Sequence, residues 1–174
     1  MDIQNRTAIV TGASRGIGLA ISKALIEEGV TIAGWSRTPP DSFTHKRFHH
    51  IKADLTIENS VNEAFQETIK NLGNSIPILI NNAGMGYRGP MEEMPSDKWR
   101  QLFDLNVHGI FYTSKRVIPQ MKKENQGHII NIGSGAGTNG IAGMSAYCGT
   151  KYAVVGITES LHKELRDFGV KVSC

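Results

Sequence analysis

The amino-acid sequence predicts an α/β domain built on a doubly wound parallel sheet, and three observations carry that expectation. Short apolar β-type runs alternate with longer amphipathic stretches along the chain. A glycine-rich turn, TGASRGIG at residues 11–18, falls where the first β-type run passes into the first amphipathic stretch. No repeat, low-complexity segment or flexible linker divides the 174 residues, a length that one domain with its own core accommodates. We therefore expect a single domain over residues 1–174.

Each element follows from local pattern. TAIVTG predicts the first strand and its turn, and GIGLAISKALIEEG a helix with Ile17, Ala20, Ile21, Ala24 and Leu25 on one face, stopped at Gly29. VTIAGWS predicts the second strand. The prolines of TPPDS break the chain, RFHHIKADL predicts a third strand, and IENSVNEAFQETIKNLG a helix closed by Gly73. PILINNAG predicts the fourth strand. Residues 96–124 predict one long helix N-capped by Ser96, with Gly109 and Pro119 as points of bending. HIINIGS predicts the fifth strand, residues 145–168 the last full helix, and VKVSC a sixth strand.

Composition narrows the function classes. A formal net charge of +3 is spread along the chain without a basic stripe, so nucleic-acid binding is not expected. No apolar run approaches the ~20 residues needed to cross a bilayer. MDIQNRTAIVTG has neither the basic region nor the apolar core of a signal peptide, so no membrane association is expected and the expected location is the cytoplasm. Cys148 and Cys174 show no CxxC or zinc-type spacing, and the histidines at 45, 49, 50, 108, 128 and 162 lack carboxylate-backed ligand spacing; no metal site is expected.

The glycine loop carries the first chemical signal. Gly12 permits a tight turn, Gly16 lets the backbone approach a pyrophosphate, and Gly18 lets the helix pack near the strand, while the helix N-terminus attracts phosphate charge. The Gly-x-x-x-Gly-x-Gly spacing is also open to a purely structural reading; its place after the first strand favours dinucleotide binding in a Rossmann-like fold. The second strand ends in Trp35, Ser36 and Arg37 instead of the acidic residue that would accept hydrogen bonds from an unphosphorylated ribose. Arg37, with Arg15 in the loop, suits a 2′-phosphate, so NADP(H) is expected over NAD.

A second signal is Tyr147 and Lys151 in SAYCGTKYAV. A phenol in water holds its proton to about pH 10, too high for exchange near neutrality, so it needs a positive neighbour. Positions four apart share a helix face, which brings Lys151 one turn from Tyr147.

Six motifs in order are TGASRGIG, ADLT at 53–56, NNAG at 81–84, Asn106 in LNVHG, Ser134 in INIGSG, and the Tyr147 and Lys151 pair. Together they make the chain similar to the short-chain dehydrogenase/reductase family over essentially its whole length. The resemblance implies a single nucleotide-binding domain with an Asn-Ser-Tyr-Lys catalytic group, here Asn106, Ser134, Tyr147 and Lys151. In that scheme Tyr147 gives a proton to a carbonyl oxygen as hydride reaches carbon, and takes it back in the reverse direction. Ser134 hydrogen-bonds the same oxygen, Lys151 also holds the nicotinamide ribose, and Asn106 stands where a water relays protons from Lys151.

The resemblance further implies cofactor contacts from Ser14, Arg15 and Ile17 beside Gly12, Gly16 and Gly18, from Arg37, from Asp54 and Leu55 at the adenine edge, and from Asn82, Ala83 and Gly84 along the adenosine. For Asn82 a structural role in the central sheet is equally open. The expected substrate is a small-molecule carbonyl or secondary alcohol, and the expected assembly a homodimer or homotetramer formed through the two long helices. Family members continue past the sixth strand into a Pro-Gly turn, a substrate-covering loop and a seventh strand. The expectation is thus a domain lacking the last strand and the substrate loop: an active enzyme completed by a longer chain, or a truncated nucleotide-binding module with little turnover. Within the family the general look is that of 3-oxoacyl-thioester reductases. Asn125 and Phe168 stand where those using carrier proteins have basic residues, which argues against carrier-protein docking. Met85, Met91, Met94 and Met144 flank the expected pocket, as apolar lining or as gap filling.

Overall fold

β-branched residues recur in β1 (Thr7–Thr11), β4 (Ile78–Asn81) and β6 (Val170–Ser173), the types that a pleated, packed surface favours. With β2 (Thr31–Ser36), β3 (Phe48–Lys52) and β5 (Gly127–Asn131) they form one parallel six-stranded sheet in the order β3-β2-β1-β4-β5-β6. This is a computed structural model, and it describes residues 2–174. The doubly wound, Rossmann-like α/β fold expected from the sequence is the fold observed.

Period-two alternation divides the core between the two faces of the sheet. Ala8, Val10, Ile32 and Ile80 pack on one side, with Ile26 of α1 (Gly16–Glu27). Ile9, Trp35, Ile51 and Leu79 pack on the other, with Phe65 of α2 (Glu58–Leu72) and Val117 and Met121 of α4 (Gly109–Glu124). From β1 the chain builds outward one way through β2 and β3, and from β4 the other way through β5 and β6. The direction reverses between β1 and β4, where open α/β sheets leave a crevice at the carboxyl ends of their strands.

Three local expectations are corrected. The buried stripe of α1 is Gly18, Ser22 and Ile26; Ile21 and Leu25 pack partly against the core, whereas Ile17 is 64% exposed and Ala20 and Ala24 face solvent. The close approach of Gly18 to the β1 turn fixes the rotation of the helix, so glycine and serine, not the largest apolar residues, meet the sheet. Ser96 is the first helical residue of α3 (Ser96–Phe103); Pro95, extended at φ −63° and ψ 134°, holds the cap position without a side-chain cap bond. Finally, residues 96–124 are not one regular α-helix: a π-turn at Asp104–His108 separates α3 from α4, ending immediately before Gly109, the first residue of α4, while Pro119 lies inside α4. Such one-turn widenings displace side chains from the regular helical register.

The remaining elements follow the pattern. Gly73 closes α2 with φ +89°, and α5 (Ser145–Leu165) ends in a short 3-10 turn, Arg166–Phe168, before Gly169 and β6. Asn125 caps α4 in the left-handed region, and Lys122 Nζ stands 3.8 Å over the Phe168 ring. Among the described residues no helix is long and apolar enough to cross a membrane.

Candidate active site

The glycine loop sits at the point where the strand order reverses. Gly12 leaves β1 with φ +66°, a conformation that L side chains rarely adopt, and its N–H donates to the Trp35 carbonyl at 2.8 Å. A Cβ on Gly18 would collide with the Gly12 carbonyl oxygen and the Asn82 side-chain amide, so helix and strand meet here at a distance only glycine allows. Arg15, at the cap position of α1, makes no side-chain cap bond, and the first turn of α1 contains no acidic residue. Its first-turn N–H groups therefore keep their capacity to donate, and the positive end of the helix dipole is not neutralised locally, the conditions that suit an anion.

In front of this turn lies a groove of about 960 Å³. Gly12, Ser14, Arg15, Gly16 and Ile17 line it from the loop, Arg37 from the end of β2, Asp54 and Leu55 from the end of β3, and Asn82, Ala83 and Gly84 from the end of β4. Of the residues expected to contact the nucleotide, these share one surface. Gly18 is buried beneath it as a packing residue. Asp54 turns the chain on itself, accepting from the Thr56 N–H and hydroxyl at 3.0 and 2.7 Å. Asn82, which lines the groove, also has a structural bond: its amide donates to the Thr11 carbonyl at 2.9 Å, tying β4 to β1. Met85, expected beside the pocket, also lines the groove, as do Trp35 and Ser36 at the end of β2; Gln101 and Leu105 line it too and carry no motif that marks them as lining residues.

The segment Gly84–Gly86 leads from this groove to Tyr147. Gly84 and Met85 line the groove, and a Cβ on Gly86 would stand 3.8 Å from the Tyr147 ring. Asn106, 2% exposed in the π-turn, pins this segment: its Nδ2 donates to the Met85 carbonyl at 2.9 Å and to Thr150 Oγ1 at 3.0 Å, and its Oδ1 accepts from the Met85 N–H at 2.9 Å. The side chain is thus engaged on α5 and on the loop after β4 at once.

Lys151 is 8% exposed, its Nζ 5.8 Å from the Tyr147 ring centroid and donating to the Ile132 carbonyl at 2.6 Å. Burial pushes its pKa below the usual lysine value, and Cys174, the smaller influence, acts in the opposite direction. Ser134 follows β5 as the cap of a short turn, Gly135–Gly137, its Oγ accepting from the Ala136 N–H at 3.2 Å. That turn packs on α5 tightly enough that a Cβ on Gly137 would stand 2.8 Å from the Lys151 carbonyl oxygen. Asn106 and Ser134 therefore belong to elements that press on the same turns of α5 as Tyr147 and Lys151.

A buried polar chain escaped the motif reading. Asn81 Nδ2 donates to Asn131 Oδ1 at 2.8 Å, Thr113 Oγ1 donates to Asn81 Oδ1 at 2.7 Å, and Asn131 Nδ2 donates to Thr158 Oγ1 at 2.9 Å. The chain links α4, β4, β5 and α5 directly behind the site. Thr11 Oγ1 adds a clamp between β1 and β4, accepting from the N–H groups of Asn82 and Ala83 at 2.9 and 3.0 Å. The signal that marks this chain is an asparagine closing each of two apolar runs, ILIN and HIIN, in register as Asn81 and Asn131.

The sequence matches the family model for short chain dehydrogenases over residues 6–174. It is 35% identical to a 3-oxoacyl-[acyl-carrier-protein] reductase, FabG, of Vibrio harveyi, over 99% of this chain and 72% of that protein. Its structure superposes on a short-chain dehydrogenase from Streptomyces avermitilis with TM-score 0.92 and 33% identity, over 97% of this chain and 64% of that one. It also superposes on the ligand-free aldohexose dehydrogenase of Thermoplasma acidophilum with TM-score 0.90 and 34% identity, over 99% and 66%. The chain spans about two thirds of the length of these solved structures. With the family's pattern matched from the first strand to the sixth, the chain belongs to the short chain dehydrogenase family of oxidoreductases.

Proposed function

We propose that residues 1–174 act as one dinucleotide-binding domain of an NADP(H)-dependent oxidoreductase that interconverts a small-molecule carbonyl and a secondary alcohol, with Tyr147 as general acid and base. The observation that carries this reading is the buried Lys151 beneath the Tyr147 ring, at the end of a segment continuous with the groove. A lysine taken from water costs stability, and its placement against a phenol has a chemical use.

The groove fits a nicotinamide dinucleotide: the loop N–H groups and the start of α1 suit a pyrophosphate, and Arg15 and Arg37 on its wall suit a 2′-phosphate. When bound, that cofactor supplies or accepts the hydride. Tyr147 holds the proton for the carbonyl oxygen, and the charge of Lys151 stabilises the phenolate left when the proton departs. Because Ser134 Oγ accepts from the Ala136 N–H, its own hydroxyl hydrogen remains available to donate to the same substrate oxygen. Asn106 acts on position, keeping Met85 and the groove floor registered against α5. Ketone-dependent loss of NADPH absorbance by the wild-type protein tests the reading; its absence with every ketone tried counts against it.

The same reading includes self-association as a homodimer or homotetramer through α3, α4 and α5. Trp99, Phe111 and Tyr152, on those helices, are 36%, 52% and 48% exposed, large apolar groups of the kind that interfaces cover. Light scattering is expected to give a mass of two or four chains; a monomer at tens of micromolar removes this part of the proposal.

A further inference from the structure

The chain just after β2 presents Arg37 to the groove, and two side-chain bonds outside the catalytic scheme hold it there. Ser36, 7% exposed, donates its hydroxyl to the Thr38 carbonyl at 2.8 Å, drawing the backbone tight around Arg37. The Ser36 carbonyl accepts from two groups on the β3 side, the Ala53 N–H at 3.1 Å and the ring of His50 at 3.2 Å through Nε2. A carbonyl oxygen can only accept, so His50 Nε2 carries the proton in this contact. His50 lies on β3 opposite Gly34 of β2, with its ring half-buried, and its bond goes to the backbone immediately before Arg37.

We propose that His50 is a positioning residue for 2′-phosphate recognition. Its Nε2–H fixes the Ser36 carbonyl, and with the Ser36 hydroxyl it sets the path of the chain from which Arg37 reaches the groove. Arg37 itself is exposed at a strand end, a place where a guanidinium on a loose backbone would lose binding free energy to ordering. Holding the carbonyl just before it removes part of that cost in advance. The inference rests on the NADP(H) reading above, and it concerns this chain's own hydrogen bond, since the residue neither faces the groove nor touches the reacting groups.

The test compares adenosine 2′,5′-bisphosphate with 5′-AMP, two probes that differ by the phosphate in question, titrated calorimetrically into the 174-residue chain and its variants. The wild type is expected to bind the bisphosphate more tightly than AMP, and Arg37→Leu to erase that preference. His50→Leu removes the donor and is expected to weaken bisphosphate binding about threefold to tenfold, the worth of one neutral hydrogen bond. AMP binding and the melting temperature stay close to wild type. His50→Gln keeps an N–H donor and restores most of the loss. Equal losses for both ligands, no loss at all, or a Gln variant that behaves like Leu overturn the proposal even while Arg37→Leu still erases the preference. A wild type that does not distinguish the two ligands instead overturns the NADP(H) reading, and this inference with it.

Discussion

Lys151 lies beneath the Tyr147 ring, 5.8 Å from its centroid, and spends a 2.6 Å hydrogen bond on the backbone carbonyl of Ile132, the last residue but one before Ser134. The lysine thus ties the end of β5 to α5 while its charge stays under the phenol. Burial is the main cause of its lowered pKa, so the folded state disfavours the ammonium relative to the unfolded chain.

That sign gives a stability prediction. For a base whose folded pKa is lowered, the unfolded chain binds the extra proton between the folded and unfolded values, so stability rises with pH across that window. Relative to Lys151→Met, the wild type is expected to gain stability as pH rises through the lowered folded value toward the usual lysine value near 10.5. Melting temperatures of both proteins between pH 7 and 10.5 check it. A difference that does not change with pH removes the buried charge as the cause.

Cofactor choice turns on Arg37. Replacing it with Asp puts a carboxylate on the groove wall, which repels a 2′-phosphate and suits a free ribose hydroxyl pair. NADPH affinity is expected to fall by about 10- to 100-fold, the loss of a charge-assisted contact, with NADH affinity unchanged or improved. Fluorescence titration of both cofactors decides it, helped by Trp35 on the same wall. A wild type that already prefers NADH contradicts the assignment.

Much of the site was legible because its signals are local. The glycine loop is a turn encoded within eight residues, and the Tyr147 and Lys151 relation is one helical turn. What escaped depends on pairs distant in sequence. The rotation of α1 follows from Gly18 meeting Gly12 and Asn82, and not from the apolar stripe. Asn81 and Asn131 find each other across 50 residues, and Asn106 reaches Thr150 across 44. The π-turn that carries Asn106 has no compositional mark, since LNVHG reads as ordinary helix until the loop after β4 is placed beside it.

The close approach at Gly18 is itself testable. Gly18→Ala places a methyl group against the Gly12 backbone carbonyl and the Asn82 amide, itself hydrogen-bonded to the Thr11 carbonyl, so the loop or the helix has to move. A cost of about 1–3 kcal/mol in stability is expected, together with weaker nucleotide binding, because the same movement misplaces the loop N–H groups. Chemical denaturation and cofactor titration measure the two effects. Wild-type values for both show that the contact tolerates a methyl group.

The measurement that bears most directly on the central claim is turnover by Tyr147→Phe, read beside cofactor affinity on the same preparation. Phe keeps the ring against Gly86 and over Lys151 but removes the hydroxyl. If Tyr147 is the general acid and base, NADPH affinity stays within about twofold, while ketone-dependent NADPH oxidation falls by about 100-fold or more. Turnover close to wild type in the Phe variant contradicts the account, because the proton would then have to come from another group.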